Sequence, residues 1–164
     1  MRVAIVPGSF DPITAGHLDI IKRATQLFDR VVIGVAKNPG KRTLFSIEER
    51  VRFVEEATKD IKGVSVEVFD SLLVGFARKH DAHAIIKGLR AVSDFEHEFQ
   101  MAQLNRELDP SMETIFMMAS TEYAYLSSSA VKEIAEYQGS VKGLVPDVVE
   151  ESLKEKFAGL KGGR

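Results

Sequence analysis

Between residues 7 and 17 the chain reads Pro7-Gly8-Ser9-Phe10-Asp11-Pro12-Ile13-Thr14-Ala15-Gly16-His17. The apolar run before it, residues 3–6, predicts a buried strand, and the residues after it carry apolar side chains at helical spacing. A strand, a turn and then a helix place backbone N–H groups and a positive dipole end at the carboxyl end of the strand. Open α/β sheets bind phosphates there, so the stretch predicts a nucleotide-phosphate site with His17 in the first helical turn.

The bulk properties of the chain exclude several classes of protein. Its 164 residues are enough for one domain, which we predict to span residues 1–164, with 159–164 as a frayed tail. A net charge of −2 gives no general attraction to nucleic acid or to an anionic membrane. The chain has no cysteine, no secretory signal pattern and no apolar run of membrane-spanning length. We therefore expect a cytoplasmic protein with no nucleic-acid or membrane partner.

Strand and helix patterns alternate along the whole chain. Apolar or alternating runs predict strands at 3–6, 30–36, 64–69, 84–86 and 113–118. Amphipathic segments between them predict helices, including one capped by Ser46 and Glu49 and one that runs from the Ser127–Ser129 serines through Tyr137 to a stop at Gly139. This alternation predicts an α/β fold, a single Rossmann-like domain in which helices cover both faces of a five-stranded parallel sheet.

Three of the predicted strands are followed by residues suited to phosphate binding. The first junction holds Ser9 and His17, the fourth strand leads into Lys87-Gly88-Leu89-Arg90, and the fifth leads to residues 123–129, rich in hydroxyls. The carboxyl ends of parallel strands share one edge, so we expect these groups to form one cleft. The sequence lacks the P-loop, the Gly-x-Gly-x-x-Gly dinucleotide fingerprint and the Gly-x-Ser-x-Gly nucleophile elbow.

The turn resembles the signature of the nucleotidyltransferase superfamily, Gly-Ser/Thr-Phe-Asp-Pro followed by Gly-His. A narrower likeness extends to residues 87–91, to Asp94-Phe95-Glu96 and to the three serines at 127–129. With these motifs the chain, from Met1 to about Leu160, is similar to the bacterial phosphopantetheine adenylyltransferase family.

That resemblance implies transfer of AMP from ATP to 4′-phosphopantetheine, by in-line attack, with Mg²⁺ and without a covalent intermediate. It also implies a homohexamer and inhibition by coenzyme A, while the ligands of the metal stay unknown. His17 corresponds to the residue that stabilises the transition state. By the same likeness the ATP site comprises Ser9, Phe10, His17, Gly88, Leu89, Arg90, Glu98, Tyr123, Ala124, Tyr125, Leu126, Ser127, Ser128 and Ser129. The phosphopantetheine site comprises Ser9, Lys41, Leu73 and Lys87.

The chain departs from the family patterns at two positions. Thr14 stands where much of the superfamily has the first histidine of His-x-Gly-His, and Lys87 stands where some members carry arginine. Two other functions stay open on the sequence. One is a nucleotidyltransferase that uses nicotinate mononucleotide or a sugar or polyol phosphate as acceptor, and the other is a nucleotide-sensing module that binds ATP without chemistry.

Overall fold

Five strands and six α-helices alternate along the chain in the computed structural model, which describes residues 1–38 and 40–159. The strands are β1 Val3–Gly8, β2 Arg30–Ala36, β3 Val64–Phe69, β4 Ala84–Leu89 and β5 Glu113–Met118. The helices are α1 Ala15–Leu27, α2 Ile47–Thr58, α3 Leu73–Lys79, α4 Val92–Leu108, α5 Ser128–Glu136 and α6 Asp147–Ala158. Within these ranges no helix is both long enough and apolar enough to cross a membrane.

The strands form one parallel sheet in the order β3-β2-β1-β4-β5. The strands β2 and β3 lie on one side of β1, and the later strands β4 and β5 lie on its other side. The carboxyl ends of β1 and β4 therefore flank the point where the strand order reverses, which is the usual ligand crevice of such sheets. The signature turn follows β1 directly, so it lies at this point.

Apolar strand residues point alternately to the two faces of the sheet, and each face has its own core. On one face Val6, Ile33 and Ile86 pack with buried residues of α1, α2, α5 and α6. On the other, Ile5 and Ile85 pack with buried residues of α3. The helix α4 lies on this second side, because Phe95 in α4 contacts Phe116 in β5. The expected five-stranded parallel sheet with helices on both faces is confirmed.

Three predicted element ends differ from the structure. The strand β1, expected at 3–6, continues to Gly8, because its backbone still pairs there with β2. The strand β4 continues to Leu89, because the backbones of Lys87 and Gly88 pair in register with β5 whatever their side chains are. The helix α5 ends at Glu136, and Gln138, with φ of 64°, takes the left-handed position that we expected at Gly139. Gly139 is required by packing instead, since a Cβ there would lie 2.7 Å from Cγ2 of Ile134.

The carboxyl terminus is described only in part. Gly159 is the C-cap of α6 and has helical φ and ψ. The rest of the predicted tail, residues 160–164, lies outside the described residues. That residues 1–164 form one domain stays a prediction.

The helix α4 keeps much of its apolar surface in contact with solvent. Phe99, Leu104 and Leu108 have exposed fractions of 47%, 51% and 54%. Side chains of this type are normally buried, and several of them on one helix leave an apolar surface that the residues described in the structure do not cover.

Candidate active site

The turn after β1 is built around a buried phenylalanine. Phe10 has a positive φ of 48°, which is uncommon for a residue other than glycine, and its side chain is only 2% exposed. Gly8 leaves room for this ring, because a Cβ at residue 8 would lie 3.0 Å from Cε2 of Phe10. Phe10 is therefore part of the core beneath the turn, and its ring centroid lies 5.0 Å from that of His17.

His17 is held by the residue that caps its helix. Thr14 is the N-cap of α1, and its Oγ1 accepts from the backbone N–H of His17 at 3.4 Å. In return the backbone N–H of Thr14 donates to Nδ1 of His17 at 2.9 Å. Since Nδ1 is the acceptor, the proton of a neutral His17 ring must be on Nε2. Thr14, at the position of the missing histidine, thus orients the imidazole that remains.

The surroundings of His17 keep its ring neutral. Burial, and to a smaller extent the positive charge of Arg90, lower the pKa of His17 to about 4. At neutral pH the ring is therefore an uncharged donor of one hydrogen bond through Nε2. A ring fixed in place with one N–H in a known direction is suited to stabilise charge that develops on a ligand.

Arg90, at the end of β4, is fixed by contacts on two sides. Its Nε and Nη2 donate to the two carboxylate oxygens of Asp94 at 3.0 and 3.1 Å, which makes the pair bidentate. Its Nη1 donates to the carbonyl of Leu126 at 3.4 Å. Arg90 therefore links β4 to the loop before α5 and brings a positive charge close to His17.

The predicted substrate residue Lys41 reaches back to the signature turn. Its Nζ donates to Oγ of Ser9 at 3.2 Å, and the contact is exposed to solvent. Lys87, predicted for the same phosphate, forms an ion pair with Glu98 of α4 at 3.3 Å. Leu73 begins α3 and packs, half-buried, against the core of the second face. Each of the two lysines thus contacts another predicted site residue.

The three serines at the start of α5 have three different surroundings. Ser127 is the N-cap and accepts from the backbone N–H of Ala130 at 3.0 Å. The hydroxyl of Ser128 donates to the carbonyl of Pro12 in the signature turn at 2.8 Å, and Ser129 is exposed. This end of α5 is therefore attached to the turn, with its N–H groups and dipole available for an anion.

The loop before these serines contributes both buried and exposed residues. Thr121–Tyr123 forms a 3₁₀ turn, within which Tyr123 is half-buried. Leu126 is buried in the core, whereas the side chain of Tyr125 is 80% exposed. Ala124 is half-buried and Tyr125 lies at the surface of this loop, while Leu126 accepts from Arg90 through its backbone carbonyl.

Two buried charged residues support the turn, and neither was predicted from the sequence as part of the site. Arg50 of α2 is 2% exposed, and its Nη1 donates to the carbonyls of Ser9 at 2.7 Å and Ala36 at 2.9 Å. Asp11, 3% exposed, accepts hydrogen bonds from the backbone of residues 44 and 45 and from Lys132. The pattern of the sequence holds no signal for Arg50, since a charged residue at a helix start usually faces solvent.

The fold and the site together define a parallel α/β protein with cations and a helix N-terminus at one sheet edge, an arrangement suited to phosphate groups. The profile of the cytidylyltransferase-like family matches residues 5–134. A relative from Caldanaerobacter subterraneus subsp. tengcongensis, named phosphopantetheine adenylyltransferase, is 61% identical over 96% of this chain and 98% of its own length. Relatives of the same name from Clostridium novyi and Moorella thermoacetica are each 55% identical, again over 96% of this chain and 98% of their own.

The chain belongs to the cytidylyltransferase-like family and, within it, to the phosphopantetheine adenylyltransferases. It is accordingly an enzyme of the nucleotidyltransferase class.

Proposed function

We propose that this enzyme transfers AMP from ATP to 4′-phosphopantetheine and releases pyrophosphate, which yields dephospho-coenzyme A for coenzyme A biosynthesis. The observation that carries the proposal is the 61% identity, over nearly the full length of both chains, with a relative that bears the name of this activity. The site agrees with it, because cations and helix N–H groups at the switch point of the sheet suit a nucleoside triphosphate and a second phosphate.

The reaction is a displacement at the α-phosphorus of ATP. An oxygen of the acceptor phosphate forms a bond to the α-phosphorus, and the bond between that phosphorus and the oxygen bridging to the β-phosphate breaks. The bridging oxygen leaves with pyrophosphate and keeps the electron pair. The acceptor phosphate is ionised at neutral pH, so no general base is required, and the enzyme has to position the two reactants and stabilise charge.

The residues at the sheet edge divide this work. Lys41 and Lys87, with Ser9, hold the acceptor phosphate, and the contact of Lys41 with Ser9 supports their joint use. Arg90 and the N-terminus of α5 hold phosphates of ATP. His17 donates from Nε2 to an oxygen of the α-phosphate, where negative charge increases in the transition state.

The proposal includes Mg²⁺ as a companion of ATP. Residues 1–38 and 40–159 contain no group of three or more His, Cys, Asp and Glu side chains that could hold a metal ion. Such a cluster is not required for Mg²⁺, because this ion usually keeps several water ligands and binds substrate phosphates with few protein ligands. Bound there, the ion neutralises part of the charge of the triphosphate.

We further propose that the enzyme assembles as a homohexamer in which the exposed apolar residues of α4 are covered by other copies. Phe99, Leu104 and Leu108 are about half exposed in the single chain, and a second copy is a partner of matching chemistry.

Coenzyme A shares most of its structure with the product, so it should compete with substrate at the active site. Initial rates measured with and without added coenzyme A test this, and an unchanged rate refutes it. A cytoplasmic location, where ATP is abundant, is also part of the proposal.

The function is tested by incubating the enzyme with ATP, Mg²⁺ and 4′-phosphopantetheine. We expect dephospho-coenzyme A and pyrophosphate to form in equal amounts. Parallel reactions use nicotinate mononucleotide and glycerol 3-phosphate as acceptors. A faster reaction with either of these would assign the enzyme another acceptor, and ATP binding without any turnover would make the chain a nucleotide-sensing module.

A further inference from the structure

The signature turn contains a buried carboxylate to which the proposed reaction gives no role. Oδ1 of Asp11 accepts from the backbone N–H of Phe45 at 2.9 Å. Oδ2 accepts from the backbone N–H of Leu44 at 3.0 Å and from Nζ of Lys132 at 2.9 Å. Three donors therefore meet on a side chain that is 4% exposed.

The partners of Asp11 belong to the two halves of the proposed site. Leu44 and Phe45 end the loop that carries Lys41, which is proposed for the acceptor phosphate. Lys132 lies in α5, whose first turn is proposed for ATP. Asp11 itself stands two residues after Ser9. One carboxylate thus connects the signature turn, the acceptor loop and the helix that faces ATP.

The charge of this carboxylate is maintained in the folded protein. Burial opposes ionisation, but the hydrogen bond from Lys132 and the two backbone N–H donors outweigh it and lower the pKa of Asp11 below its ordinary value. Asp11 is therefore an anion at the pH of the reaction. An anion holds three donors more strongly than a neutral acceptor of the same shape would.

We propose that Asp11 is a positioning residue, which through Lys132 fixes α5, and through Leu44 and Phe45 fixes the Lys41 loop, so that the two phosphates meet at reacting distance. This inference rests on the proposed function for the identity of the two ligands. It assigns Lys132 an indirect role, in which the ammonium group orients α5 by way of Asp11 and does not itself bind ATP.

The substitution Lys132→Met distinguishes the contact of Asp11 with α5 from its contacts with the Lys41 loop. It removes the link to α5, while both N–H donors to Asp11 remain. We expect the Kd and KM for ATP to rise roughly tenfold and kcat to fall, while the KM for 4′-phosphopantetheine stays within about twofold of its starting value. Lys154→Met is the matched control, because Lys154 forms an exposed i,i+4 ion pair with Glu150 on α6. We expect that variant to equal the unmodified enzyme.

A double-mutant cycle distinguishes this indirect role from direct binding of ATP by Lys132. Asp11→Asn keeps one carbonyl acceptor but loses the charge, and we expect it to raise the KM of both substrates. If Lys132 acts through Asp11, adding Lys132→Met to Asp11→Asn raises the KM for ATP no further. Additive effects, or a Lys132→Met variant in which both KM values are unchanged or rise equally, would overturn the proposal.

The effect of Lys132→Met on ATP binding can be measured even if the Asp11→Asn variant does not fold, and it does not require the identity of the acceptor substrate. Titration calorimetry with ATP measures the affinity change without turnover. The affinity is measured well below the melting temperature of the variant, which should be lowered because a buried carboxylate loses its charged partner. A tenfold weaker Kd for ATP supports a role of Lys132 in ATP binding, and an unchanged Kd overturns it. If the unmodified enzyme forms no dephospho-coenzyme A, that result would count against the proposed function and not against the role of Lys132 in ATP binding.

Discussion

The backbone N–H of Thr14 lies 2.9 Å from Nδ1 of His17 and donates a hydrogen bond to it. This contact makes the first turn of α1 more than a helix start, because it determines which ring nitrogen carries the proton. The ring then presents Nε2–H as its second polar group. A sequence in which threonine replaces the first histidine of the superfamily pattern therefore keeps one imidazole with one defined direction of donation.

The first prediction concerns the protonation of His17. Long-range ¹H–¹⁵N correlation spectra should show a neutral ring protonated at Nε2 at pH 7 and a titration with a pKa of about 4. Arg90→Gln removes a neighbouring positive charge. Because that charge repels the protonated ring, the pKa of His17 should rise in this variant. It should stay below the ordinary value of 6.5, since burial is the larger cause.

The same pKa has a consequence for stability. Because the folded state disfavours protonation of His17, the unfolded chain binds more protons than the folded one between about pH 4 and 6.5. The contribution of the neutral ring to the free energy of unfolding is therefore complete above about pH 6.5 and falls as the pH decreases toward 4. A titration of His17 near 6.5 in the folded enzyme would contradict both statements.

The second prediction concerns Lys41 and Lys87. Replacing either with alanine should reduce kcat and raise the KM for 4′-phosphopantetheine, because both cations are assigned to the acceptor phosphate. The Kd for ATP should change less. Lys62→Ala, an exposed lysine in the turn before β3 at the opposite edge of the sheet, serves as control. Steady-state kinetics in which both variants match this control would show that the assignment is wrong.

The third prediction concerns the buried Arg50. Its guanidinium donates to the carbonyls of Ser9 and Ala36, and Arg50→Met leaves both without this donor. We expect the free energy of unfolding, measured by urea titration, to fall by about 2–4 kcal/mol. Arg52→Met on the exposed side of the same helix should change it by less than about 1 kcal/mol. Equal effects would mean that the buried contacts contribute nothing.

The fourth prediction concerns assembly. Leu104→Glu places a charge in the exposed apolar surface of α4, so it should dissociate the hexamer that light scattering is expected to detect. Leu27→Glu is the control, because Leu27 on α1 has a similar exposed fraction of 50%, against 51% for Leu104. A stable monomer at micromolar concentration in the unmodified enzyme would remove the hexamer proposal.

The sequence predicted those features that depend on local pattern. The bounds of β2, β3 and β5 were predicted residue for residue, because apolar runs and flanking turn residues specify such strands. The capping box of Ser46 and Glu49 is confirmed for the same reason. The end of β4 was placed too early, because strand pairing includes Lys87 and Gly88 through their backbones.

Features that depend on distant contacts were not accessible from the sequence. The local sequence around Asp11 is typical of a turn residue and indicates nothing more, because its partner Lys132 lies 121 residues away in the chain. Arg50 reaches a carbonyl 41 residues away. No periodicity encodes such pairs, since they form only when the sheet brings the carboxyl ends of its strands together. The ligand assignments of the site residues themselves stay predictions.

The central claim is that Nε2–H of His17 stabilises the transition state, and kcat of His17→Ala tests it most directly. Folding and the Kd for ATP should be nearly unchanged, while kcat should fall by roughly a hundred- to a thousandfold, the usual cost of one such donor. His17→Gln, which can still donate, should retain part of the rate. An alanine variant that turns over at the rate of the unmodified enzyme would make His17 a helix-capping residue and contradict the mechanism.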